Sequence, residues 1–541
     1  MEFLFQPETV PFPTICTPSY NFRKANFITL YEDLLAAEWT FLEHFVDVSQ
    51  ALEAFYDHLH SLIKKSVPLY TSQRKHSYPP WFTPSLIASL KTKLFYRKKW
   101  LSSKNVLFFN EFKRLRTHCK IQISLCYRAY IDRVEQSVCN NPKEIFKYLQ
   151  MKRGTTRIPG KMYQENLSFE TPYQIVNGFA QVFSDIYLPS SSYNFKDDSY
   201  SNIPSLALVR VREDDIIKIM ASFPIKHTAG DDQIPSFMIH DARYALAQPL
   251  SVIINKAIEN YTFPNKWKRA RIVPVHKKDD ISDLKNYRPI AIISNFAKIF
   301  EQVIYKSIMN NVRPYISQNQ HGFLPGKSTT TNLITITQFI CEHLDANSQV
   351  DVVYTDFSSA FDTVDHGILL RKLSSFGLTR SFISLIESYL SDRVNYVTYN
   401  GSKSKDYTPT SGVPQGSNLG PLFFVLFIND LLELLKCPTL AYADDLKIFA
   451  SISSVGDVRF LQDNLNIISQ WSFSNRMKLN IDKCQFLNFS RQLTPMSSSY
   501  YINDQPLVQV NTMKDLGVYF DSKLTFIDHI RAISASASKS L

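Results

Sequence analysis

Cysteine is scarce: seven among 541 residues, at Cys16, Cys119, Cys126, Cys139, Cys341, Cys437 and Cys484, with no CxxC pair. An odd count without that spacing excludes a disulfide framework and the commoner zinc sites, and it points to a reducing compartment. Long apolar runs are missing too. The most hydrophobic stretch, Pro421 to Leu435, is interrupted by Asn429, Asp430 and Glu433, and it is too short and too polar to span a bilayer. The N-terminus, Met-Glu-Phe-Leu-Phe-Gln-Pro, lacks a basic region followed by an apolar run, so no secretory signal is expected. These absences predict an intracellular protein of the nucleus or cytoplasm that does not engage membranes. No internal repeat is present. The Gly326-Lys327-Ser328 tripeptide is not a phosphate-binding P-loop, because the required first glycine would stand at 321, which is His321.

What is present bounds the answer further. A chain of this length holds several units. Its hydrophobic fraction of 44% and charged fraction of 20% are those of a globular protein with a buried core. The net charge of +11 favours a polyanionic partner. That charge is unevenly spread. The first 60 residues are acidic, with Arg23 and Lys24 the only cations, and apolar residues from Leu34 to Phe55 recur at helical spacing. Between 91 and 120 the sign inverts: Lys91, Lys93, Arg97, Lys98, Lys99, Lys104, Lys113, Arg114, Arg116 and Lys120 face Glu111 alone. Interleaved Leu94, Phe95, Trp100, Phe108 and Leu115 predict helices with one packed and one basic face. A basic face suits phosphates, whose neutralisation releases counterions; a solvated helix face is the plainer alternative. Residues 161–204 read as a linker ending in a Ser- and Asn-rich run. Beyond about 205 the texture is α/β.

Three segments carry candidate chemistry. Val350 to Tyr354 is strand-like and runs into Asp356. Thr439 to Ala450 places Asp444 and Asp445 between two apolar halves, so a hairpin turning there would carry both carboxylates at its tip. Adjacent carboxylates raise each other's proton affinity, a cost that a hard cation such as Mg²⁺ removes. In Ser411 to Asn429, Gly412, Pro414 and Gly416 make a constrained loop before an apolar, buried helix, and Gly416 allows close approach to the backbone. Taken singly, each has a bland reading: a surface Asp, an exposed turn, a tight loop.

Together and in this order they resemble the reverse transcriptases of non-LTR retrotransposons, the long interspersed element type, jockey-like. The resemblance rests on YTDFSSAFDTVDH (354–366), SGVPQGSNLGPLFFVLFINDL (411–431) and AYADDLKIFA (441–450). Flanking matches are FPNKWKRARIVPVHKKDDISDLKNYRPIAIIS (263–294), QHGFLPGKSTTTNLI (320–334), MKLNIDKCQFLNFS (477–490) and KDLGVYFD (514–521). It covers roughly residues 205 to 530, and ordered motifs at fitting spacing make it specific. The resemblance implies an α/β (α+β) right-hand polymerase with fingers (205–345), palm (346–500) and a partial helical thumb (501–541). An all-α N-terminal extension would comprise an acidic helical remnant (1–80) and a basic RNA-contacting part (81–160). Within the latter, PPWFTPSL (79–86) and NPKEIFKYLQMKR (141–153) resemble the region that grips template RNA in such proteins.

The implied activity is RNA-directed DNA synthesis: transfer of a dNMP to a primer 3′-hydroxyl with two Mg²⁺ ions, for which Mn²⁺ can substitute. Partners would be an RNA template, a DNA primer and product, and dNTPs. Asp356 and Asp444 are the implied main metal ligands, with Asp445 supporting. Phe361 would lie under the sugar of the incoming nucleotide and exclude a 2′-hydroxyl. Gln415 and Gly416 would contact the nucleotide and template. Lys277 and Arg288 would neutralise the triphosphate, with Lys278 the alternative to Lys277. Lys483 would donate a proton to pyrophosphate, a surface lysine being the alternative. Asp362 is not an implied ligand. No endonuclease precedes the match, no aspartic-protease Asp-Thr-Gly or Asp-Ser-Gly occurs, and the chain stops within the expected thumb. A fragment truncated at both ends is therefore expected, and a catalytically silent RNA-binding relic is the competing reading. A viral-type RNA polymerase with a similar palm is disfavoured by Phe361.

Overall fold

A computed structural model describes residues 18–70, 78–137, 145, 148, 158–189 and 204–538. The chain divides into two units, residues 1–71 with 158–534, and residues 72–157 with 535–541.

The smaller unit is built on two helices, Pro84–Ser103 and Val106–Gln136. The Thr83 hydroxyl accepts from the Leu86 amide and Pro84 takes the first turn, a favoured helix start. Lys104, at a left-handed φ of 51°, ends the first helix, and the Asn105 side chain caps the second by accepting from Leu107 N. Leu86, Leu115, Cys119 and Val134 are buried, whereas Leu94, Phe95, Leu101, Val106 and Leu107 remain exposed. The expected apolar face is thus only partly packed. Lys99 instead lies over the Phe95 and Phe108 rings, and Lys113 over Phe109. Glu111 is taken by Arg114, which leaves the other cations on these helices without an ion pair among the described residues.

In the larger unit, helices Phe27–Ala36 and Val48–Ser66 insert Leu30, Leu34, Leu52 and Phe55 into the main core. A two-residue strand pair, Ser19–Tyr20 with Leu69–Tyr70, ties their ends, a small departure from an all-α extension. The two large sheets use β1 (Arg269–His276), β2 (Tyr287–Ile292), β3 (Gln349–Thr355), β4 (Val394–Tyr399), β5 (Ser402–Lys403), β6 (Thr439–Tyr442), β7 (Asp445–Ile452), β8 (Gln485–Phe489) and β9 (Val508–Val510). One sheet runs β2-β1-β4-β5, the other β6-β7-β3-β8-β9. Helices α1 (Asn295–Val312), α2 (Thr329–Asp345), α3 (Leu419–Leu434) and α4 (Val455–Ser474) pack around them. Strand β3 is buried along its whole length, Gln349 and Asp351 included, and the Gln349 side-chain amide and the Tyr500 hydroxyl donate to the Asp351 carboxylate. Val350, Val352 and Tyr354 meet Ile336 and Ile340 of α2 on one face, while Val353 joins the main core on the other. α3 is buried on nearly every side, as an all-round apolar helix requires. Among the described residues no helix is long and apolar enough to cross a membrane.

Two expectations need correction. The described part of 161–204 is no linker. It holds a hairpin, Met162–Gln164 with Leu167–Phe169, and helix Pro172–Ser184, whose Ile175, Val176, Phe179 and Phe183 pack on Ala270, Ile272 and Val397 of the four-stranded sheet. The run 190–202 lies outside the described residues. Within 346–500, β4 pairs in parallel with β1, so this segment contributes to the four-stranded sheet as well as to the five-stranded one. Residues 501–521, expected as helical, form tight hairpins, Tyr501–Ile502 with Gln505–Pro506 and Thr512–Asp515 with Val518–Asp521. Their turns use Asn503-Asp504 and Leu516-Gly517, all at positive φ, as two-residue hairpin turns demand. Helix Ile527–Ser538 follows.

The last of these hairpins is bonded to the five-stranded sheet by a buried ion pair. Lys447 of β7 and Asp515 are 3% and 5% exposed, and the Lys447 ammonium donates to the Asp515 carboxylate. Breaking one partner strands a buried charge. Asp515→Ala should therefore cost about 3–5 kcal/mol in chemical denaturation, whereas Lys447→Met with Asp515→Leu should recover most of that loss. A fully stable Asp515→Ala protein would show that the pair is not holding the hairpin.

Candidate active site

Register brings the acidic residues together. β7 pairs antiparallel with β3 through Leu446↔Thr355, so Asp445 and Asp356 are the next residues at the same end of the two strands. The β6–β7 hairpin closes at Tyr442↔Asp445, which makes Ala443 and Asp444 its turn. Asp356 is fixed through its backbone: its carbonyl accepts from Asn480 N at 2.8 Å, and Ser358 N donates to Lys478 O at 2.8 Å. That strip delivers the short turn Ile481–Lys483, and the Lys483 Nζ donates to Asp356 Oδ2 at 2.9 Å. The Asp444 carboxyl is raised above its ordinary value, mainly by burial, with Asp356 adding repulsion and Arg288 and Lys483 opposing. Asp445 faces solvent at the hairpin edge, yet the surrounding protein mass and then Asp444, Asp356 and Asp515 push its carboxyl up to about 6. All three sequence-predicted carboxylates therefore share one electrostatic site.

Two loops build the adjoining wall. In the first, Phe361 is half-buried, stacked on Phe424 at 4.5 Å and edge-on to Phe323 at 6.0 Å. The second loop is stitched to it: Gly412 N donates to Val364 O at 2.7 Å, Val413 N to Phe361 O at 2.8 Å, and the Ser411 hydroxyl to Asp362 O at 2.8 Å. Gly412 is required, since it has φ +80° and a Cβ there would lie 2.6 Å from the Asp362 carbonyl oxygen. Gly416, at φ +123°, presses equally on β2, where a Cβ would sit 2.4 Å from Ala291 O, and Ala291 N donates to Gln415 O at 2.7 Å.

Lys277 and Arg288 come from the β1–β2 hairpin, where Val275 pairs with Arg288 and Lys277 N donates to Asn286 O at 2.8 Å. Neither makes an ion pair among the described residues. The Lys277 ammonium is pushed down by burial, then by Arg288 and Lys483, with Asp362 opposing. Two neighbouring cations without a direct ion pair suit a polyanionic group. The structure separates the two candidate lysines. Lys277 feels Asp362 and Arg288, while Lys278 lines a cavity of about 310 Å³ with Asp356, Asp445 and Lys483.

Asp362 was passed over in the sequence, and the structure gives it a part. Its buried carboxylate receives both bonds from the Gln415 side-chain amide, Nε2 to Oδ1 at 2.9 Å and to Oδ2 at 2.8 Å. Burial pushes its carboxyl up to about 6, with Gln415 and Lys277 pulling the other way. Nothing in the local pattern names this partner, which lies 53 residues away. Among the described residues no group of three or more His, Cys, Asp or Glu side chains already stands as a metal cluster. The donor set nevertheless fits a hard divalent cation: carboxylate oxygens that repel one another at the end of two strands.

Residues 275–520 match the family model described as reverse transcriptase (RNA-dependent DNA polymerase). The chain is 28% identical over 345 residues to a probable RNA-directed DNA polymerase from transposon BS of Drosophila melanogaster, covering 61% of this chain and 38% of that protein. It is 27% identical over 381 residues to the RNA-directed DNA polymerase from mobile element jockey of the same species, covering 68% and 41%. The chain thus spans about two fifths of the length of these curated relatives. Among solved structures it aligns with an apo telomerase from Candida tropicalis, 14% identical, covering 55% of this chain and 68% of that one, at a TM-score of 0.35.

The raised Asp362 carboxyl has a pH signature. Its proton is held more tightly in the folded than in the unfolded chain, so its contribution to stability is complete below about pH 4 and is lost as pH rises to about 6. Asp362→Asn should remove roughly 2–3 kcal/mol of that decline, measured as unfolding free energy between pH 4 and 7. Asp445 titrates in the same window and leaves a residual slope. An unchanged slope in Asp362→Asn would show that burial does not raise the Asp362 carboxyl in the folded chain.

Proposed function

We propose that this chain, whose residues 275–520 match the reverse transcriptase family model, is an RNA-directed DNA polymerase of a non-LTR mobile element. The observation that carries the reading is the convergence of Asp356, Asp444 and Asp445 at one end of β3 and β7, beside Lys277 and Arg288, which make no direct ion pair among the described residues. In the reaction the primer 3′-oxygen bonds to the α-phosphorus of a dNTP. The bond from that phosphorus to the bridging oxygen breaks, and pyrophosphate leaves. Asp356 and Asp444, with Asp445 in support, would hold two Mg²⁺ or Mn²⁺ ions, which when bound acidify the 3′-hydroxyl and offset charge on the triphosphate.

The remaining roles fall to the chain's own side chains. Lys277 and Arg288 bind the triphosphate. The Phe361 ring, packed between Phe424 and Phe323, bars a ribose 2′-hydroxyl and selects dNTPs. Gln415, oriented by Asp362, and the side-chain-free backbone of Gly416 meet the nucleotide and template. Lys483, kept at the mouth of the site by Asp356, gives a proton to the departing pyrophosphate. The cationic helices Pro84–Ser103 and Val106–Gln136 take template RNA through its phosphates.

Primer extension on an RNA template with Mg²⁺ and dNTPs tests the reading. The wild type should extend, and Asp444→Ala should lose at least about 100-fold while keeping its unfolding midpoint, because several kcal/mol of charge stabilisation disappear. Equal extension by both proteins would remove these carboxylates from the chemistry. Phe361→Ala should raise NTP relative to dNTP incorporation by about tenfold or more under the same conditions. An unchanged ratio would remove the sugar gate.

A further inference from the structure

The turn that presents Asp444 and Asp445 is built from a residue poorly suited to it. Ala443, the first turn residue, has φ 58°. A left-handed conformation costs an L-residue with a Cβ about 1–2 kcal/mol, and hairpin turns normally place glycine or asparagine there. Something must hold it. The side chain of Gln320 is fully buried against this turn. Its Oε1 accepts from Ala443 N at 3.0 Å and from Gly322 N at 2.7 Å, and its Nε2 reaches Ala443 O at 3.4 Å. One carboxamide thus engages both polar groups of the strained residue. The backbone around it runs alongside β6: His321 N donates to Ala441 O at 2.8 Å, and Ala441 N to Asn319 O at 2.9 Å. Buried Asn332 adds a bond to the Ala441 carbonyl at 3.1 Å. Gly322 permits the approach, because a Cβ there would fall 2.3 Å from Ala443 N.

We propose that Gln320 is a positioning residue for catalysis, holding the Ala443–Asp444 turn in the strained geometry that aims Asp444 and Asp445 at a shared divalent cation. The proposal rests on the reading of those two carboxylates as cation ligands. Gln320 touches neither substrate nor metal, and it acts only through the turn. Without it, the amides of Ala443 and Gly322 would be buried and unpaired, each at a cost of about 1–3 kcal/mol. The turn would then relax towards a conformation alanine prefers, and the two carboxylates would move with it.

The test uses the full chain with Gln320→Leu, with the milder Gln320→Asn, whose shorter amide cannot span both N–H groups, and with Ala443→Gly added to each. Three readouts are taken on folded protein: amide hydrogen exchange across 440–446, Mn²⁺ affinity, and primer extension resolved into kcat and KM for dNTP. Gln320→Leu is expected to exchange at least ten times faster at Ala443, to bind Mn²⁺ several-fold more weakly, and to lose about 10- to 100-fold in kcat with KM within about twofold. Ala443→Gly, which adopts positive φ freely, should restore a good part of the kcat and the Mn²⁺ affinity. A purely structural role would lower the unfolding midpoint without the split between kcat and KM and without rescue by glycine. Wild-type exchange and Mn²⁺ affinity in both Gln320 variants would overturn the proposal. Exchange and Mn²⁺ affinity report the turn without turnover. A wild type that extends no primer, but whose turn loosens on substitution, would therefore sink the polymerase reading and leave the bracing intact.

Discussion

Mutual repulsion among Asp356, Asp444 and Asp445 is the constraint around which the rest of the larger unit is arranged. Asp356 raises the proton affinity of Asp444, both raise that of Asp445, and the Asp445 carboxyl is pushed up to about 6. A fold that tolerates this must fix the carboxylates by something other than their own preference. Strand pairing does most of it: β3 is buried throughout and its ladder with β7 runs through Leu446↔Thr355 to the doorstep of the acidic pair. Lys483 and Lys447 supply charge on either flank, one on Asp356 and one on Asp515. A bound divalent cation would turn the same repulsion into affinity.

The wall facing those carboxylates follows a different logic, close approach of backbone. Gly412 against Asp362, Gly416 against Ala291 and Gly322 against Ala443 are three places where one extra carbon would collide with a neighbouring main chain. Each presses a loop that carries a candidate site residue, or its immediate neighbour, closely against other main chain. The backbone at Gln415 is thereby bonded to β2, that at Phe361 to Val413, and the Ala443–Asp444 turn lies against Gly322. Sites set on such scaffolds reach the sub-ångström order that catalysis needs.

Much of this was legible in the sequence because it is local. Val350 to Tyr354 announces a strand, the double Asp announces a turn, and Gly412-Val413-Pro414 a constrained loop; strand and loop are where the pattern puts them, and the turn falls one residue earlier, at Ala443-Asp444, with Asp445 already paired in β7. What escaped is non-local. The pairing of β4 with β1 joins residues more than 120 apart, and no window reveals it. The bonds of Gln415 to Asp362 and of Gln320 to Ala443 are of the same kind. Other misses had a signal. Thr171 with Gln174 forms a capping box ahead of helix Pro172–Ser184, and that spacing argued against a linker. Asn503-Asp504 and Leu516-Gly517 were turn pairs inside the segment expected to be a helical thumb.

The most direct measurement of the central claim is anomalous diffraction from crystals soaked with Mn²⁺ and a dNTP. The account predicts Mn²⁺ peaks at about 2.0–2.2 Å from carboxylate oxygens of Asp356 and Asp444, with the triphosphate between them and the cations Lys277 and Arg288. Ordered Mn²⁺ bound elsewhere, with Asp356 still paired to Lys483 and no peak at Asp444, would contradict it.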